Sequence, residues 1–312
     1  MSLRFLGFGV SQGEPRRVSE LSDIPRDLRA MLAAAGFESV VESAQRTAQM
    51  AGSAAMAALA DAGVDPADVK AVLLVTESLW DAAAEASGPY GYLSLRDEFL
   101  REVVLGPGLG RAEVYANWMA GCGNLTPSLS VARGLANSPG DGCLLVVCAD
   151  RATPGRSRLT PNGAAVFGDT AAACLLGRAD AGLRLADVIL CPSADLLALR
   201  GQDRFAATTR ALRAAVEALD AEVAARAGQA LREFDTVVFE NFSPVLVKFC
   251  CQALGLPAGV GCTPSLAAFG HTFSSDLLIS LRMLAREGAP AGRLAAVSIS
   301  SWALGALIVD CG

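Results

Sequence analysis

Lysine is nearly absent: the 312-residue chain has two, Lys70 and Lys248, scattered among arginines that form no basic run. With a formal net charge of −6 and a pI near 5.0, this scarcity excludes a nucleic-acid-binding role. No apolar run reaches the ~20 residues that a bilayer-spanning helix needs, and the opening stretch 1–7 is too short and interrupted for a signal peptide. A cytoplasmic protein without a membrane span is the expectation. The nine cysteines, an odd number, include no C-x-x-C pair, and most fall in apolar strand or helix patterns. That speaks against a disulfide framework and against a zinc or other metal site. Free cysteine is commonly a small buried hydrophobe, which is the expected role of eight of the nine. Histidine is rarest of all, with His271 its sole instance.

What is abundant is small apolar residue: 52% of the chain is hydrophobic, ample for a continuous core. Two stretches read alike. In the first, an alanine-rich helical pattern over 39–62 precedes the strand Ala71–Thr76, which ends at Glu77-Ser78. In the second, a similar pattern over 205–232 precedes the strand Thr236–Phe239, which ends at Glu240-Asn241. Cys122 is followed by an amphipathic helix carrying Leu125, Leu129, Ala132 and Leu135, then by the strand Cys143–Cys148. His271 is followed by a helix carrying Leu277, Leu278, Leu281 and Leu284, then by the strand Leu294–Ile299. The segments Gly163–Leu176 and Trp302–Val309 close each half and read as hairpins of small and β-branched residues. This internal duplication predicts a layered α/β architecture with halves 1–180 and 181–312, and with corresponding corners of the two halves facing each other.

Those corners hold the chemistry. Cys122 lies in Gly121-Cys122-Gly123-Asn124 at a strand-to-helix junction, where unpaired backbone N–H groups and the helix dipole are expected to lower a thiol pKa from ~8.5 toward neutrality. Gly121 and Gly123 would let a thioester approach the backbone, whose N–H groups would form an oxyanion hole. His271, in Gly270-His271-Thr272, is the matching residue of the second half, suited to accept the thiol proton and return it to a leaving thiol. The residues flanking these groups, Gly121, Gly123, Asn241, Ser243 and Thr272, are the expected substrate contacts. Ser243-Pro244 also has a structural reading, as N-cap and first-turn proline of a helix. The loop Gly106-Pro107-Gly108-Leu109-Gly110 lacks dinucleotide spacing and reads as a turn. The stretch 88–105, with Tyr90 and Tyr92, is a candidate cap over the pocket or contact to a partner.

Cys122 in its corner, Phe167-Gly168-Asp169-Thr170-Ala171-Ala172 and Gly270-His271-Thr272 ahead of a helix, in this order, resemble the thiolase superfamily and its ketoacyl-ACP synthase III branch. The resemblance spans nearly the whole chain. It implies the five-layered α-β-α-β-α fold, usually as a homodimer, with an acyl-CoA or acyl carrier protein thioester as substrate and no permanently bound cofactor. Cys122 takes the place of the acyl-accepting nucleophile, and Gly168-Asp169-Thr170 that of a loop supporting it. Two corners depart from the type III pattern. Gly-His-Thr stands where those synthases carry Gly-Asn-Thr, which is similar to thiolases, and Glu240-Asn241-Phe242-Ser243 stands where they carry His-Gln-Ala-Asn. The pair that stabilises the enolate after malonyl decarboxylation is therefore missing, and an anionic Glu240 donates no hydrogen bond to replace it. Glu240 is instead a candidate for orienting His271.

Thr76-Glu77-Ser78 with Asp81-Ala82-Ala83-Ala84 resembles the hydroxymethylglutaryl-CoA synthases, in which the glutamate is the general acid/base of an aldol condensation; carried over, that role falls to Glu77. The leading expectation is an acyltransferase or condensing enzyme of specialised polyketide or fatty-acyl metabolism that forms a Cys122 acyl-enzyme without the usual decarboxylation. The alternatives are an aldol-type synthase using Glu77 and a non-catalytic partner subunit of a condensing-enzyme pair.

Overall fold

Runs such as Cys143–Asp150 (CLLVVCAD), apolar at successive positions, can be buried only where both faces of a strand are covered. The computed structural model describes residues 2–81, 91–138, 142–160, 163, 165–198, 205–288, 292–300 and 302–311. Its strands are β1 (Ser2–Gln12), β2 (Glu14–Arg17), β3 (Ser39–Glu42), β4 (Val69–Val75), β5 (Glu113–Asn117), β6 (Cys143–Asp150), β7 (Thr170–Ala179), β8 (Arg184–Pro192), β9 (Thr236–Phe239), β10 (Gly261–Cys262), β11 (Gly292–Ile299) and β12 (Ala303–Cys311). Its α-helices are α1 (Arg26–Ala34), α2 (Thr47–Ala62), α3 (Gly91–Phe99), α4 (Leu125–Ala136), α5 (Ala194–Ala198), α6 (Phe205–Ala227), α7 (Pro244–Leu254), α8 (Leu266–Phe269) and α9 (Asp276–Glu287).

Strand order states the duplication directly. The sheet runs β5-β4-β6-β7-β1 and then β8-β12-β11-β9-β10, so the second five strands mirror the first. Orientations repeat as well: β4 is parallel to β5 and β6, as β9 is to β10 and β11, while β7 and β12 run antiparallel to the strands before them. The two sets meet at a single β1–β8 register pair, Arg4 with Arg184.

Helices fill the layers between and outside these sets. Leu125, Leu129 and Ala132 of α4 and Leu277, Leu278 and Leu281 of α9 pack in one cluster with strand residues from both sets, so these two helices form the central layer. On one outer face, α2 and α3 pack against β4, β6 and β7. On the other, α6 and α7 pack against β8, β9, β11 and β12. Helix α2 lies directly on β1 because Gly9 has no side chain; a Cβ there would collide with the Ala54 carbonyl.

Three sequence expectations are corrected. The pattern over 39–62 is not one helix: Ser39–Glu42 is a strand paired with β2, its Val40 and Val41 buried, and the helix starts at Thr47. The pattern over 205–232 ends at Ala227, where Gly228 takes a φ of 76°. The closing segments are not self-contained hairpins; each supplies one strand, β7 or β12, paired to the preceding β6 or β11. The turn at 106–110 is present, entered from a π-helical segment, Leu100–Leu105, and followed by β5, which the sequence pattern did not reveal. Residues 82–90, including Ala82 to Ala84 and Tyr90, lie outside the described residues. Tyr92 is exposed on α3.

A buried ion pair ties the loops together. Asp169, fully buried, receives both guanidinium nitrogens of Arg158 at 2.9 and 2.8 Å and the backbone N–H groups of Ser43 and Ala152. The adjacent Gly168 N–H donates to the His271 carbonyl at 2.9 Å, so this loop supports the His271 corner and not the Cys122 corner expected from the sequence. Asp169→Ala leaves two amides without an acceptor and Arg158 with only the Phe167 carbonyl and Glu42, and a loss of about 3–5 kcal/mol in urea-unfolding free energy is expected.

Candidate active site

The turn that presents the thiol is built from glycine. Gly121 has a φ of 59°, in the left-handed region, and opens the 3-10 turn Gly121–Asn124 that leads into α4. The turn is fixed from inside: Asn124 accepts from the Ala120 N–H through its side chain, and its carbonyl accepts from Ser128 Oγ and Asn117 Nδ2. In the other half, His271 precedes α9 in the place that Cys122 holds before α4. Its backbone N–H donates to the Val166 carbonyl.

These corners meet. His271 Nε2 lies 3.1 Å from Cys122 Sγ, and its Nδ1 lies 2.6 Å from Asp276 Oδ2. Asp276, the first residue of α9, is fully buried and accepts on every side: from the Asn241 N–H on Oδ2, and from the Thr272 N–H and hydroxyl on Oδ1. With Nδ1–H committed to this carboxylate, Nε2 is left as the acceptor facing sulfur. The result is a Cys–His–Asp relay, which the sequence reading found only in its first two members. The signal for the third was an acid five residues after the lone histidine, at the first position of the helix.

The orientation expected of Glu240 thus belongs to Asp276. Glu240 accepts from the Ile299 N–H instead, and its burial pushes its carboxyl well above the usual range. Asn241 and Thr272, expected substrate contacts, are fully buried and spend their polar groups internally. Asn241 Nδ2 donates to Ser265 Oγ and the Gly270 carbonyl, and Thr272 serves Asp276. Ser243 is the N-cap of α7, accepting from the Leu246 N–H with Pro244 in the first turn, so its structural reading holds. Gly123 makes its close approach to Ser300 across the halves, where a Cβ would sit 3.3 Å from the serine Cβ. Gly121, by contrast, faces the Glu77 carboxyl oxygens.

The electrostatics overturn one expectation. The Cys122 thiol is pushed well above its ordinary pKa, first by burial and then by the carboxylates of Glu77, Glu240 and Asp276. That shift favours the neutral thiol over the thiolate, with His271 Nε2, 3.1 Å away, as the nearest acceptor for its proton. The Glu77 carboxyl faces the neighbouring Gly121, and behind it Asp150 is buried, its pKa raised by burial and by Glu77. Asp150 Oδ1 collects the hydroxyls of Thr76 and Ser78 and the N–H groups of Glu77 and Ser78. A Glu77→Gln protein removes one negative charge beside the thiol. Its Cys122-specific alkylation by iodoacetamide, followed by peptide mass, is expected to rise at lower pH than in the wild type.

Aromatic rings shape the histidine's surroundings. Phe167, Phe242 and Phe273 lie 5.8, 5.1 and 5.6 Å from the His271 ring by centroids. Phe273 is held at a φ of 54°, a left-handed conformation costly for a non-glycine residue and typical of functional corners. Its ring stacks on Phe167 at 4.5 Å. Beside them a cavity of about 160 Å³ opens between Glu77, Trp80, Arg151, Phe167 and Phe273.

Comparison with known proteins places this architecture. No family model matches the chain. No curated protein matches it. Solved structures do. The acyltransferase ChlB3 superposes with a TM-score of 0.81 at 20% identity, covering 100% of this chain and 98% of that one. The 3-oxoacyl-[acyl-carrier-protein] synthase III of Aquifex aeolicus gives 0.76 at 17% identity, with 99% of each chain covered. A variant of OleA from Xanthomonas campestris gives 0.74 at 14% identity, with 99% of this chain and 98% of that one covered. The five layers, the mirrored strand order and these full-length superpositions together give the chain the thiolase-like fold of the ketoacyl-ACP synthase III structures.

Proposed function

We propose that the protein is an acyltransferase that carries its acyl group on Cys122. The observation that carries this reading is the 3.1 Å contact between Cys122 Sγ and a His271 ring whose other nitrogen is bound to buried Asp276. The donor is an acyl-CoA or acyl carrier protein thioester, a substrate and not a resident cofactor. As Cys122 Sγ attacks the donor carbonyl, His271 Nε2 takes the thiol proton, and Asp276 stabilises the imidazolium. Collapse of the tetrahedral adduct breaks the donor carbon–sulfur bond, and the proton passes from Nε2 to the departing thiol. In the second half-reaction an acceptor hydroxyl, amine or thiol gives its proton to Nε2 while attacking the Cys122 thioester. Cys122 leaves and is reprotonated.

Plain transfer is favoured over decarboxylative condensation because Glu240 and His271 stand at the two corners where the type III synthases carry the histidine and asparagine that stabilise the enolate. Trapped acyl-enzyme should therefore be discharged by an oxygen, nitrogen or thiol acceptor with no release of carbon dioxide. Discharge only by a malonyl thioester, with stoichiometric carbon dioxide, would overturn the reading. Aldol-type condensation is the second reading, favoured by the Glu77 carboxyl facing Gly121 beside the thiol and raising its pKa; it requires Glu77→Gln to abolish product while sparing acylation. A silent partner subunit would need no such relay.

A homodimer belongs to the same proposal. The edge strand β5 presents exposed Val114 and Tyr115, and Trp118 and Met119 follow it, also exposed. An unpaired apolar edge invites pairing with a second copy. Sedimentation equilibrium is expected to give twice the 32.1 kDa chain mass, and Val114→Lys to return it toward the single-chain value. Among the described residues no helix is long and apolar enough to cross a membrane, and a cytoplasmic location accompanies the proposal.

A further inference from the structure

At the end of α9 away from Asp276, a second cavity of about 420 Å³ opens between the two halves. Its apolar wall comes from β1 and the turn before β8, through Phe5, Leu6, Phe8 and Leu183. Its polar wall comes from Arg282 and Arg286, one turn apart on α9, with Asp61 at the end of α2. The charges do not balance. Asp61 Oδ2 is occupied by the Phe8 N–H at 2.9 Å, and its Oδ1 meets Arg286 only at 3.4 Å. Arg282 Nε is buried and has no hydrogen-bond acceptor among the described residues. Burial and the neighbouring Arg286 both disfavour its charge, while Asp61 alone favours it. Like charges at this spacing on a helix are mutually destabilising, and a buried guanidinium donor without an acceptor costs free energy.

We propose that this cavity binds an organic carboxylate with an apolar body, its carboxylate received by Arg282 and Arg286 and its hydrocarbon lying against Phe5, Phe8 and Leu183. A carboxylate balances the charges of the two lining arginines in the planar geometry that guanidinium matches, and the volume is that of a small-molecule pocket. The site is separate from Cys122, and the proposal does not depend on the acyl-transfer reading.

Isothermal titration of the full chain at pH 7.5, with Cys122 first capped by iodoacetamide, tests it using octanoate as probe and 1-octanol and acetate as controls. Saturable octanoate binding is expected, with 1-octanol and acetate each at least tenfold weaker. Arg282→Gln should weaken octanoate at least tenfold and leave 1-octanol unchanged. Ala285→Trp, at an exposed helix position lining the cavity, should fill the space and abolish octanoate binding without unfolding the chain. Absence of saturable binding, equal binding of octanoate and 1-octanol, or octanoate binding indifferent to both substitutions would overturn the proposal.

Discussion

Wild-type protein incubated with a panel of acyl-CoA and acyl carrier thioesters gains the mass of one acyl group, and Cys122→Ala gains none. This is the largest expected effect, because no other cysteine has the same surroundings. Cys148, Cys174, Cys250 and Cys311 are buried, and burial alone pushes the Cys174 thiol far above its ordinary range. The four partly buried ones, Cys143, Cys191, Cys251 and Cys262, have no imidazole beside them, since the only one in the chain belongs to Cys122. Substitution to alanine removes a thiol from a glycine turn and leaves its backbone hydrogen bonds intact, so the variant should fold as the wild type does. The readout is intact mass, and an acyl increment persisting in Cys122→Ala would remove the nucleophile from the proposal. A wild type unlabelled by every donor would favour the silent-subunit alternative.

Asp276→Asn is expected to slow acyl transfer by about 10³–10⁴-fold, the scale seen when the acid of a nucleophile–histidine–acid relay is made an amide. The local reason is donor count. Asp276 faces four donors: Nδ1–H of His271, the N–H groups of Asn241 and Thr272, and the Thr272 hydroxyl. A carboxylate accepts all four, whereas an amide turns one oxygen into an NH₂ group that meets N–H groups head-on. With the NH₂ toward His271 the tautomer with its proton on Nδ1 loses its acceptor, and with the NH₂ toward Thr272 the acceptor stays but the negative charge that stabilises the imidazolium is gone. A buried donor clash also costs about 1–3 kcal/mol of stability, so rates should be normalised to folded protein. Single-turnover acylation with a fall in kcat and a nearly constant KM is the expected signature. A variant acylating within tenfold of wild type would reduce Asp276 to a structural brace.

Much of this site was legible one residue at a time. Cys122 was marked by its two glycines and a following helix, and His271 by being unique and by occupying the same place in the second half. The helices after each, α4 and α9, followed from leucine spacing. Asp276 was not legible, because an acid at the first position of a helix is ordinary capping chemistry and gains its role only when the loop turns His271 back onto it. The thiol's environment was misread for a related reason: a helix N-terminus suggests a lowered pKa, but three carboxylates from separate segments, Glu77, Glu240 and Asp276, converge on it with burial and raise it instead. Asn241 and Thr272 looked like site residues by proximity in sequence, yet their side chains point into the framework that holds Asp276.

The chain's own order of residues determined the repeated β-α-β pattern, the glycine-flanked cysteine and the single imidazole, since periodicity, glycine corners and residue chemistry are local properties. Tertiary structure alone decided which acid serves the histidine, which polar groups are inward-facing, and how charge accumulates around the sulfur. Those depend on distances of a few ångströms between segments more than a hundred residues apart, such as Cys122 and His271. Local sequence rules do not encode such distances; the packing of α4 and α9 between the two strand sets does.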